Sequence, residues 1–157
     1  MTNTPEVLIS GNITELEIKE LQNELYSENI KLEKHLVKSQ TIQDLIQLVF
    51  QDFSLISFTR DFVISGILST SWCAVNKVVK SLEKKNKKIG NVGLEFEVST
   101  KNGKPVIIKF NSKPENFELL ISQADKIVTI EFIEELTHER QIFISLDSDK
   151  KFNIKKF

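Results

Sequence analysis

The sequence predicts an α+β fold built on one mixed sheet, and three observations carry that expectation. Leu94–Val98 and Val106–Phe110 alternate apolar and polar residues on either side of Asn102-Gly103, the strongest short-range signal for a β-hairpin. Thr14 and Glu17 stand at capping-box spacing ahead of Ile18, Leu21 and Leu25, which repeat as one face of a helix. The stretch from Phe62 to Leu82 is apolar for longer than a strand needs, and a run of lysines suited to the end of a helix follows it.

Taken in order, Val7–Ser10 is a short apolar run ended by Gly11-Asn12, a first strand and turn. The Thr14 helix follows, and Ile30–Val37 alternates loosely as a second strand. Ser39 to Asp44 offers caps for a more apolar segment. In it Ile42, Leu45, Ile46, Val49, Phe50 and Phe53 recur at three and four, which predicts a helix. After Arg60-Asp61, Phe62–Leu82 is a second long apolar helix, with Gly66, Ser69, Ser71, Cys73 and Ala74 keeping parts of its surface thin and Gly90 and Gly93 stopping it. Beyond the hairpin, Ser112 and Glu115 form a second capping-box pattern ahead of Phe117, Leu120, Ile121 and Ala124. Residues 127–136 read equally as strand or helix. Gln141–Leu146 reads as a strand, Asp147-Ser148-Asp149 as a turn, and Lys151–Phe157 as an edge-like strand. The expectation is one α+β domain over 1–157: β-α-β, two long apolar helices, a hairpin, a helix and a C-terminal β tail, with 127–157 a β extension.

Composition narrows the classes of function. The 157 residues are 40% hydrophobic and 27% charged, a globular balance, and the five Gly and three Pro exclude collagen-like or linker-like chains. The formal net charge is -1, and only Arg60 and Arg140 are arginines, so the chain lacks the usual donors for phosphate and base contacts. The single cysteine, Cys73, excludes an intrachain disulfide and a thiolate metal cluster; flanked by Trp72 and Ala74, it reads as a buried, inert thiol. Residues 1–10 lack the features of a signal peptide. The charge-free run Phe62–Asn76 is shorter than the roughly 20 residues a spanning helix needs. The expectation is a cytoplasmic protein without membrane attachment.

No motif carries catalysis. Glu135-Leu-Thr-His138 has the spacing of a di-iron ligand pair but occurs once; Asp147-Ser-Asp149 starts like a calcium loop whose glycine position holds Phe152. Gly90-Asn-Val-Gly93 has no Gly-Lys-Ser/Thr after it, and His35 sits on the charged side of its strand. The densest basic cluster, Lys80, Lys84, Lys85, Lys87 and Lys88, reads as the solvated end of a helix. Lys84, Lys85, Lys87 and Lys88 are the candidate interaction surface.

Residues 7–125 resemble, in the order of their elements, the small effector-associated constant components of bacterial conflict systems. The carriers are Val7–Ser10, Thr14–Tyr26, Ile30–Val37, Ile42–Lys88, the Leu94–Phe110 hairpin and the Ser112 capping pattern. The resemblance implies an adaptor that couples a sensor to an effector through protein contacts. The expectation is therefore a non-enzymatic protein-interaction domain without cofactor or metal, whose partner is another protein rather than nucleic acid or membrane, with homo-oligomers left open. The alternatives are an immunity protein or antitoxin covering a toxin, and a small-ligand domain with a pocket between helices and sheet.

Overall fold

The structure is a computed structural model; it describes residues 5–25, 30–34, 45–57, 64–99, 105–136, 138–147 and 149–157, without the side chains of 53–57. Seven strands form one mixed sheet: β1 (Glu6–Ser10), β2 (Lys31–Lys34), β3 (Ile46–Ser57), β4 (Ile89–Ser99), β5 (Pro105–Ser112), β6 (Gln141–Leu146) and β7 (Phe152–Lys156). Their spatial order is β2-β1-β3-β4-β5-β6-β7. Parallel pairs (β1 with β2, β3 with β4, β5 with β6) alternate with antiparallel ones. Each parallel pair needs a crossover. Helix α1 (Glu15–Glu24) supplies the first and α2 (Ile64–Lys84) the second; α3 (Phe117–Ile127) and α4 (Ile130–Glu134) supply the third.

One face of the sheet is the core. Ile9 pairs with Leu48, Leu48 with Val92, Phe50 with Leu94, Leu94 with Phe110 and Phe110 with Ile144, a row of buried side chains running across the strands. Against it pack Ile18 and Leu21 of α1, Leu68, Trp72, Val75, Val79 and Leu82 of α2, Phe117, Leu120 and Ala124 of α3, and Ile133 of α4. The opposite face is mixed and half-exposed: the register aligns Gln51, Glu95, Lys109 and Phe143 on it. There the Gln51 amide donates to Glu95 at 3.0 Å, and Lys109 lies 3.8 Å from the same carboxylate.

Several expectations hold in detail. The Thr14–Glu17 capping box is closed in both directions, and β4 pairs antiparallel with β5 over the residues flanking Asn102-Gly103, which themselves lie outside the described residues. The tail is a strand pair on the main sheet, and the ambiguous 127–136 contains α4, opened by Thr129 accepting from the Phe132 amide at 3.1 Å.

Others are corrected. The first of the two long apolar helices does not exist over 46–57: that segment is β3. Ile46, Leu48 and Phe50 also repeat at two, and this period places all three on the core face between β1 and β4. Burial against two neighbouring strands outweighs a helical spacing that the same residues satisfy. Among the described residues only α2 remains as a long apolar helix, and it is buried along one face: Gly66, Ser69, Cys73 and Lys77 are exposed, so the Cys73 thiol is not buried. Gly90 and Gly93 do not stop α2 but lie within β4. The left-handed residue at the helix end is Asn86 (φ 59°), whose amide bonds to Glu83 O while the Lys87 amide bonds to Leu82 O, both at 3.0 Å. Ser112 closes β5 with its hydroxyl donating to Lys113 O. The 3-10 turn Pro114–Asn116 that leads into α3 therefore has no side-chain cap.

Candidate functional site

The four lysines singled out from sequence differ in their surroundings. Helix α2 ends at Lys84, and the backbone reversal at Asn86 turns alternate residues toward α1. Lys85 Nζ lies 2.8 Å from Glu24 Oε1. Lys87 Nζ lies 2.9 Å from Glu17 Oε2 and donates to Asn12 O at 3.2 Å. Lys84 and Lys88 are exposed. The Lys87 ammonium, with the Thr14 amide behind it, holds the Glu17 carboxyl below its ordinary pKa, and Glu24 raises that of Lys85. Half of the cluster is thus a clasp between the end of α2 and the acidic side of α1.

The nucleophile and metal candidates are equally dispersed. Helix α4 ends at Glu134, so Glu135 and His138 are not one turn apart on a helix; the His138 amide donates to Glu139. Asp147 Oδ1 accepts from the Asp149 and Lys151 amides, both at 2.9 Å, which makes it a turn residue. No three His, Cys, Asp or Glu among the described residues converge to hold a metal, and His35 lies outside them.

The feature that sequence reasoning missed is a groove where α2 crosses the start of α3. Trp72, 9% exposed, stacks on Phe117 with ring centroids 4.6 Å apart and an interplanar angle of 13°. Its ring closes the floor of two adjoining depressions of about 420 and 330 Å³. Asn76 and Glu118 border both, with Lys80, Glu83 and Glu115 around one and Cys73 and Ile121 around the other. Glu83, Glu115 and Glu118 are exposed, and so is Lys80; all four line the larger depression. The groove therefore joins an aromatic floor to an acidic rim. Its parts come from α2, the 3-10 turn and α3, some 30 residues apart, so no local motif announces them. The sequence signal was limited to a lone Trp in an apolar helix.

Searches of protein-family models, curated proteins and solved structures find no match. Among the described residues, no helix is long and apolar enough to cross a membrane.

Proposed function

We propose that the chain is a non-enzymatic protein-interaction domain that receives a partner segment in the Trp72 groove. The observation that carries the reading is the groove itself: an aromatic floor ringed by Glu83, Glu115 and Glu118 on three separate elements. Binding energy in interfaces concentrates where an aromatic or apolar anchor enters a shaped depression surrounded by polar groups that exclude water. An apolar anchor flanked by Lys or Arg fits this floor and rim, and the acidic rim would raise the rate of encounter. Coupling a sensor to an effector, as the resemblance in element order implies, is the adaptor role within this reading.

The test is affinity capture from the native host with the wild type and with Glu115→Lys/Glu118→Lys, read by quantitative mass spectrometry. Both side chains are exposed, and the double variant should keep the far-UV circular dichroism spectrum of the wild type. A partner retained by the wild type and lost by the double variant supports the reading. Identical partner sets reject it.

A further inference from the structure

The two edges of the sheet are treated differently. At β2, two adjacent outward backbone groups are already satisfied from within: Gln22 on α1 donates to Ile30 O and accepts from Leu32 N, each at 2.8 Å. One side-chain amide thus occupies the place of a further strand. At β7 nothing equivalent is found among the described residues. Phe157 and Gln141 exchange backbone bonds of 2.8 and 3.1 Å, and Asp147 N donates to Lys151 O at 3.0 Å. In an antiparallel ladder these bonded positions recur every second residue, so Lys151, Asn153, Lys155 and Phe157 face β6. The N–H and C=O groups of Phe152, Ile154 and Lys156 consequently point away from the sheet.

That open edge is held ready and is strongly basic. The Asp147 turn, with Lys150 at φ 60°, fixes the start of β7, and Lys156 Nζ lies 4.8 Å from the centre of the Phe132 ring on α4. Lys150, Lys151, Lys155 and Lys156 are exposed, as are Ile154 (39%) and Phe157 (66%). Edge lysines oppose pairing with a like-charged strand, a second copy of β7 included. Against an acidic strand the same charges attract.

We propose that β7 is a strand-addition site for an acidic extended segment of a partner protein, which pairs with Phe152, Ile154 and Lys156. The site is distinct from the Trp72 groove and does not depend on it.

A blocked nine-residue peptide of alternating Glu and Val tests this, with alternating Lys and Val as the control, followed by amide hydrogen exchange in the full chain. The Glu peptide is expected to slow exchange at Phe152, Ile154 and Lys156 by tenfold or more, leaving Asn153 and Lys155 nearly unchanged. Binding should weaken between 50 and 200 mM salt and be lost in Lys151→Glu/Lys155→Glu, whose own exchange pattern elsewhere matches the wild type. Four results would each overturn the proposal: binding of the Glu peptide without protection of those three amides, equal binding of the Lys peptide, binding of single-stranded RNA or heparin in preference to the peptide, or self-association in sedimentation that protects the same amides without any peptide.

Discussion

Replacing Trp72 by Ala tests whether the groove floor is also a pillar of the core. A buried Trp removes about 150–250 Å² from water, which at about 25 cal/mol per Å² amounts to about 4–6 kcal/mol. An unfolded chain that is already partly compact lowers this by about 10–40%, to about 3–5 kcal/mol, the usual range for Trp→Ala in a core. The stack on Phe117 contributes about 1 kcal/mol of that as a pairwise term. The variant removes the chain's only Trp, so unfolding is best followed by far-UV circular dichroism in urea. In a chain of this size the midpoint of thermal unfolding should fall by about 10 °C. A double-mutant cycle with Phe117→Leu should return the coupling of about 1 kcal/mol. A loss below about 1 kcal/mol, with no coupling to Phe117, would refute the packing argument and make the ring a surface feature.

Gly11→Ala should destabilise by about 1–3 kcal/mol in the same assay, because Gly11 has φ 108° and an added Cβ would lie 2.5 Å from the Leu45 carbonyl oxygen. Changing Lys84, Lys85, Lys87 and Lys88 together to Gln should cost no more than about 1 kcal/mol, since its two ion pairs are surface pairs; a larger loss in urea titrations would mean that the clasp on α1 carries more of the fold. Because Lys87 lowers the Glu17 pKa, this pair stabilises the fold above the ordinary carboxylate pKa, and the contribution is lost as pH falls through the lowered value. Carboxyl-carbon NMR should find Glu17 titrating low in the wild type and returning upward in Lys87→Gln; an unchanged titration would reject the assignment.

Where a pattern is closed by neighbours in sequence, as at Thr14 and along the hairpin strands, the structure agrees with it. Thr14 and Glu17 name a helix start because their reciprocal bonds are local, and the hairpin strands alternate too strictly to form anything else. Residues 46–50 carried both periods at once, and only the neighbours β1 and β4, remote in sequence, decide between them. The groove was hidden for a related reason. Glu83 reads locally as the end of one helix and Glu115 as a cap for another; their common border exists only once α3 lies across α2. The lysine cluster was visible as composition, but its division into clasp and free surface depends on Asn86 turning the chain back.

The start of α2 is anchored across a long stretch of sequence. Asp125 accepts from Ser65 N at 3.0 Å and from Ser65 Oγ at 2.5 Å, bringing a carboxylate from the last turn of α3 to the positive end of α2. During synthesis this cap does not exist when α2 leaves the ribosome: Asp125 lies 60 residues after Ser65, and β4, β5 and nearly all of α3 must follow α2 first. The opening turn of the longest helix is therefore capped only with α3 in place, and the Trp72 groove needs the same α3 against α2.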